Sequence, residues 1–143
     1  MRRTILPVLL LAAACAVDAQ EPRPQTVDNR SDLGLTPDER AEFLAEMRQM
    51  LTSIQGIVVG LGSDDRTRVV EAARYSGNRM ARATPDAVRS RLPQAFKDVG
   101  GQTHMMFEEL AIRAETDDTE TLLSYTGQIL QQCLACHAMF RAH

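Results

Sequence analysis

The chain has 143 residues, with 16 lysines and arginines against 19 aspartates and glutamates, giving a net charge of −3 at neutral pH. That mildly acidic balance lacks the basic patch a nucleic-acid binder needs to engage phosphates. The length suits one hydrophobic core, and the three cysteines are few enough that their spacing carries information.

Residues 1–19, MRRTILPVLLLAAACAVDA, place Arg2 and Arg3 before an apolar run and end in small residues. This is the pattern of a secretory signal peptide, with an A-x-A-like site at Val17-Asp18-Ala19 and an apolar run too short to span a bilayer. It implies export to the periplasm, with no transmembrane segment in the mature chain. A second reading is lipid attachment at Cys15, since LAAAC resembles a lipoprotein cleavage box, although Ala12 stands where a larger aliphatic is usual. Cleavage after Ala19 removes Arg2, Arg3 and Asp18 and leaves 14 basic and 18 acidic residues, a net charge of −4. An oxidising compartment also constrains Cys133 and Cys136, because two free thiols there tend to pair, bind metal or be used covalently.

Residues 20–35, QEPRPQTVDNRSDLGL, have two prolines and no apolar period, which predicts a flexible leader ahead of a domain spanning 36–143. Thr36-Pro37-Asp38-Glu39 is a capping box with proline at the first helical position. Behind it Phe43, Met47, Met50, Leu51, Ile54 and Val58 recur every three or four residues, predicting one buried helical face. Gly60-Leu61-Gly62 should end that helix, with Ser63 or Asp64 capping the next.

A second helix carries Val69, Ala73, Ser76 and Met80 up to Thr84-Pro85, and a short helical piece follows from Pro85 to Arg91. Pro93 opens a third, with Phe96, Val99, Thr103, Met106, Phe107 and Leu110 on one face. Gly100-Gly101 interrupts it. Each glycine costs about 1 kcal/mol against alanine in a helix, so a bend or a close neighbour is expected there. The acidic run Glu115-Thr116-Asp117-Asp118 suits the N-terminal dipole of a fourth helix, on which Leu122, Thr126, Ile129, Cys133, His137 and Phe140 align. No segment alternates as a strand should. Four amphipathic helices with short links predict an all-α, antiparallel up-down-up-down four-helix bundle.

The last helix ends in CLACHAMFRAH, residues 133–143. Thioredoxin-type dithiols sit at a helix N-terminus after a strand, whereas these cysteines fall late in a helix. Structural zinc takes four ligands, and Cys133, Cys136 and His137 supply three, leaving His104 or His143 to complete the set. A disulfide between positions three apart inside a helix meets awkward geometry. The fourth chemistry is c-type haem attachment, for which C-x-x-C-H is the signature. Sulfurs three residues apart on a helix can each form a thioether with one haem vinyl group, and the next residue presents an imidazole to the iron.

An exported, all-helical chain of this size with C-x-x-C-H in its last helix resembles the cytochrome c-prime family, including its low-spin, methionine-ligated relatives. Small cytochromes c of the commoner fold carry the motif near the N-terminus. The resemblance extends in architecture from about Thr36 onward, and by motif it rests on Cys133, Cys136 and His137 alone. It implies one haem c per chain, periplasmic redox partner proteins, and a homodimer through the first two helices.

The family also implies a choice on the iron face opposite His137. A first-helix methionine closes that face, whereas an apolar side chain leaves it open. In an antiparallel bundle the start of the first helix lies beside the end of the last. Met47 lies ten residues past Pro37, about 15 Å along the axis, and His137 six residues before the chain end, about 9 Å from it, at 1.5 Å per residue. Met47 or Met50 can therefore reach, and Met47 is favoured because Arg48 beside it resembles the family arginine that neighbours the haem propionates. His104, next to Gly100-Gly101, is a further candidate ligand, although methionines on helix faces and lone histidines usually serve packing or hydrogen bonding.

Met/His ligation implies a single-electron carrier and not an enzyme, since such an iron has no open coordination position. The chain carries no serine nucleophile motif, phosphate loop or coherent carboxylate pair; Glu108-Glu109 and Asp117-Asp118 read as solvated surface and a cap. Two alternatives belong to other classes: a five-coordinate haem protein that binds nitric oxide or carbon monoxide, and a non-haem zinc or helical interaction protein.

Overall fold

The computed structural model describes residues 27–143. The expected signal peptide, Cys15 and residues 20–26 of the expected leader lie outside the described residues. Helices account for 74% of what is described, which places the domain in the all-α class.

Helix α1 runs Pro37–Gly62 and starts at the expected capping box, where the Thr36 hydroxyl accepts from Glu39 N and the Glu39 carboxylate accepts from Thr36 N. Helix α2 (Arg66–Tyr75) follows, then the short helices α3 (Asn78–Ala83) and α4 (Asp86–Arg89). Helix α5 (Gln94–Arg113) and helix α6 (Thr119–Met139) complete the set. Asp118 caps α6, its carboxylate accepting from Thr121 N at 2.7 Å.

Helix α1 packs on α2, α2 on α5, α5 on α6, and α6 returns to α1 by a lighter contact. The α1–α2 and α5–α6 turns meet at one end, where the Arg66 guanidinium donates to Asp117 O and Thr119 Oγ1, both at 3.0 Å. At the other end the start of α1 lies beside the end of α6, where Arg40 Nε donates to Ala142 O at 3.1 Å. The core fills the first of these ends: Ile57, Leu61, Val69, Ala73, Phe107, Leu110, Ala111, Leu122 and Ile129 are all buried.

Several details differ from the sequence expectation. Residues 20–35 are not leader throughout, because Ser31–Asp32 (β1) pairs in parallel with Phe140–Arg141 (β2), and Leu33 is buried against Leu92 and Phe140. Two residues per strand are too few to show an alternating pattern, so no periodicity announced them. The second helix breaks at Ser76-Gly77 instead of continuing to Thr84. There the Ser76 hydroxyl pairs with Ser53 Oγ at 2.8 Å, His104 Nδ1 donates to Ser76 O at 2.7 Å, and the Glu108 carboxylate accepts from Asn78 N at 3.2 Å. Tertiary partners thus replace the helical hydrogen bonds lost at the break.

The cap of α2 is Asp65, whose carboxylate accepts from Arg68 N, while Ser63 closes α1 and Asp64 takes a left-handed φ of 55°. On α1 the buried face is Ser53, Gly56, Ile57, Gly60 and Leu61, whereas Leu51 and Val58 are exposed. A Cβ at Gly56 would stand 2.8 Å from Ala72 Cβ, and one at Gly60 2.8 Å from Val69 Cγ2. These two glycines admit α2 closely and so rotate the buried face toward it. Helix α5 passes through Gly100-Gly101 without a break, and no atom comes within 4 Å of a Cβ built at either.

Candidate functional site

The fully buried core stops partway along three helices. On α1 the first fully buried residue is Ser53, on α5 it is Thr103, and on α6 none follows Ile129 before the helix ends at Met139. The remaining turns form a band of half-buried side chains that includes Phe43, Leu44, Met47, Phe96, Val99, Cys133 and Cys136. A second, smaller cluster closes the outer side of this band: Leu33, Leu92 and Phe140 are buried, with Phe43, Phe96 and Cys136 packed on them. Phe96 meets Phe140 edge-on with centroids 5.4 Å apart and Phe43 at 5.7 Å, a geometry favoured by ring quadrupoles.

Both cysteines carry free thiols and are half-buried. Burial pushes the Cys133 thiol up, and burial followed by the neighbouring Cys133 does the same to Cys136. Each is therefore a protonated, apolar side chain at neutral pH, poised in a wall and not activated as a redox dithiol would be. His137 stands four residues from Cys133, on the same side of the helix, but is exposed and not part of the buried stripe. Its stripe neighbours Leu122, Thr126 and Ile129 are buried, so the alignment holds for three turns and loosens where the core stops. Among the described residues no protein group hydrogen-bonds the His137 ring; its backbone carbonyl accepts from Arg30 at 3.4 Å.

The candidate partners separate. Met47 is half-buried in the band, one turn beyond Phe43, and belongs to neither core cluster. Met50 packs on the main core, as a filler methionine would. Arg48 is exposed, and among the described residues its guanidinium makes no ion pair. His104 is half-buried and engaged with Ser76 O through Nδ1, at the break between α2 and α3. His143 is exposed at the end of the chain. Among the described residues no three His, Cys, Asp or Glu side chains gather as a metal site would require, so the zinc set of Cys133, Cys136 and His137 with His104 or His143 is not assembled here.

Two features of the band were not resolved by the sequence. Gly100 shares the inner face of α5 with Phe96, Thr103 and Phe107, at helical spacing, yet nothing lies within 4 Å of where its Cβ would be. The sequence marked the glycine pair but not which of the two faces inward. Glu46, next to Met47, is half-buried, and burial, then the Glu42 charge, push its carboxyl up.

These residues fit a covalently held porphyrin. Two thiols three apart can be thioether donors, a ring nitrogen is left without a protein partner, and a glycine faces an open inner wall bounded by aromatic side chains. No protein-family model, curated protein or solved structure matches the chain.

Proposed function

We propose that the chain is a periplasmic c-type cytochrome that carries single electrons, exported by residues 1–19 and folded as an antiparallel four-helix bundle similar to the cytochrome c-prime family. The observation that supports it is the coincidence of the Cys133-x-x-Cys136-His137 motif with a stretch of the helical assembly, among the described residues, where the fully buried core has stopped and the side chains are half-buried.

Cys133 and Cys136 would hold the haem through thioether bonds, and His137 would take the iron through an imidazole nitrogen. When bound, haem supplies a ferric–ferrous couple, which axial ligation and burial tune. Met47 would be the second protein ligand to the iron, because it lies in the band while Met50 is committed to the core and His104 to Ser76. Arg48, exposed beside Met47, is free to meet a propionate at the solvent edge. Phe43, Phe96 and Phe140 keep water from the outer side of the band, and Thr103 Oγ1 and Thr126 Oγ1 donate to their own helices at Val99 O and Leu122 O. No acid, base or nucleophile is called for, in keeping with a carrier and not an enzyme.

The test is export of the full chain in a host with haem-attachment machinery, followed by mass spectrometry and an optical spectrum. A mass increase of one haem per chain and a low-spin ferric spectrum with the near-infrared methionine-to-iron band support the carrier. A high-spin spectrum that Met47→Ala leaves unchanged would move the assignment to a gas-binding haem protein. Colourless protein with the mass of the polypeptide alone would refute both.

A further inference from the structure

The net charge conceals a segregation along the chain. Residues 66–97 hold eight basic residues against two acidic ones, Glu71 and Asp86, a balance of +6, whereas residues 20–65 and 98–143 together hold six basic and 16 acidic, a balance of −10. A chain whose overall charge predicts no basic patch thus carries one.

Half of these basic groups are uncommitted. Arg68 and Arg74 on α2 and Arg79 and Arg82 on α3 are exposed, and among the described residues their guanidiniums make no hydrogen bond or ion pair. Carboxylates that border these helices are engaged elsewhere: Asp64 pairs with Arg66, Asp86 with Arg89, Asp65 caps α2, and Glu108 accepts from Asn78 N. Glu71 alone stands between two of the four. At 100° per residue Arg68, Arg74 and Tyr75 fall on the edge of α2 away from the buried Val69 and Ala73, and Arg79 and Arg82 fall away from the buried Met80 on α3. Both helices pack inward on α5, so these edges share one side of the fold. Tyr75, 46% exposed, adds an aromatic ring, and arginine and tyrosine are favoured anchors of protein interfaces.

The same side stands level with the band. Ser76 pairs with Ser53, the first fully buried residue of α1, and Val88 and Leu92 pack in the plug beyond it. Helix α3 lies between those two points, which are also the limits of the band.

We infer that the outer face of α2 and α3, with Arg68, Arg74, Arg79, Arg82 and Tyr75, docks an acidic protein that is the redox partner of the carrier. That the partner exchanges electrons rests on the carrier reading; that the face takes an acidic protein does not. Complementary charge steers protein encounters and rejects partners of like sign. An anionic membrane suits the face less, because Tyr75 is its one large apolar side chain for insertion and the acidic remainder of the chain is repelled. A second copy would meet it only through a different, acidic surface, a head-to-tail contact that propagates instead of pairing.

Isothermal titration of the full exported chain with a small acidic [2Fe–2S] ferredoxin should give a micromolar Kd at about 20 mM salt that weakens at least about 10-fold at about 200 mM. Arg79→Gln with Arg82→Gln should weaken low-salt binding by about 10-fold, and Arg68→Gln with Arg74→Gln should act in the same direction, both with unchanged far-ultraviolet circular dichroism. Gln128→Glu with Gln131→Glu on α6 alters the net charge equally and should leave Kd within about twofold. In coloured protein the reduced ferredoxin should pass one electron to the ferric haem, its cluster oxidised and the iron reduced, at a rate lowered by the arginine pairs and not by the α6 pair. Binding is read whether or not haem is attached, so colourless protein that binds through the arginines refutes the carrier and supports the docking face. No binding, equal weakening by the α6 pair, indifference to both arginine pairs, or capture of anionic vesicles or of a second copy in place of the ferredoxin would each overturn the docking face.

Discussion

Replacing Gly100 by alanine separates an inner wall that meets a bound group from one that does not. In a helix interior, glycine to alanine stabilises by about 1 kcal/mol through backbone entropy and propensity. At Gly100 and Gly101 nothing lies within 4 Å of the added methyl, so no steric cost opposes that gain in the polypeptide itself. For a domain of this size, 1 kcal/mol corresponds to an increase in Tm of about 4 °C. Cytoplasmically produced, haem-free Gly100→Ala and Gly101→Ala proteins should therefore both melt later than the parent, by similar amounts, when followed by circular dichroism. In the exported, haem-loaded protein the two should part. Gly101 is exposed and keeps its gain, whereas Gly100 is half-buried on the inner face, where a methyl pressed on a rigid ring costs about 1–3 kcal/mol. The expected sign of Gly100→Ala thus reverses on haem attachment. Equal stabilisation at both positions in the coloured protein would refute the placement of the group against α5, and destabilisation at both in the haem-free protein would refute the continuous helix.

Other substitutions probe the closed part of the core. Ser53→Ala strands the Ser76 hydroxyl, which is fully buried, and should cost about 1–3 kcal/mol in urea unfolding; Ser53→Ala with Ser76→Ala removes both polar groups and should recover part of that loss. Gly60→Ala should destabilise by about 1–3 kcal/mol despite its helix propensity, because the new methyl meets Val69 Cγ2 at 2.8 Å and Asp65 O at 3.0 Å; a raised Tm would show that α2 yields there. Burial, helped by the Glu109 carboxylate, pushes the Tyr125 phenol up to about 12 from 10. The folded state therefore holds this proton longer than the unfolded chain, so its contribution to stability is complete below pH 10 and lost as pH rises toward about 12. Ultraviolet titration of a Tyr75→Phe variant, which retains one tyrosine, should show ionisation displaced upward and coincident with unfolding.

The parts of the fold that repeat were legible, and the parts that depend on one contact were not. Phe96, Thr103, Phe107 and Leu110 announced α5 by their period, and Thr36 to Glu39 announced the start of α1, because periodicity and capping are local properties of the chain. The rotation of α1 was not legible. Leu51 and Val58 fit the helical period as well as Ile57 does, and what decides between the two faces is the close approach of α2 at Gly56 and Gly60. The break at Ser76 depends on Ser53, His104 and Glu108, all distant in sequence. For the candidate site, the motif residues stand out at a glance, but the band around them is defined by where the core stops. That is a property of three helices at once, and no window along one of them contains it.

The two ends of the helical assembly are finished in different ways, and the difference bears on what the motif can do. At the α1–α2 and α5–α6 turns the chain completes itself: Arg66 ties the turns together, and Arg113 pairs with Asp117 at 2.8 Å while covering Tyr125. At the opposite end, the short β1–β2 pair and the ring contacts of Phe96 with Phe43 and Phe140 make a plug outside the core instead of an extension of it. Between plug and core lie Met47, Gly100 and Cys133, with Cys136 at the plug itself. Apolar material therefore bounds the band along the helix axes on both sides, and the same burial that pushes the two thiols up would act on any charge placed beside them. For an iron held by His137 that environment disfavours the more highly charged ferric form. Removing the plug with Phe140→Ala should therefore lower the reduction potential of the haem-loaded protein, by admitting water to one side of the band. An unchanged potential on voltammetry, with the spectrum intact, would show that the plug supports the fold without shielding the iron.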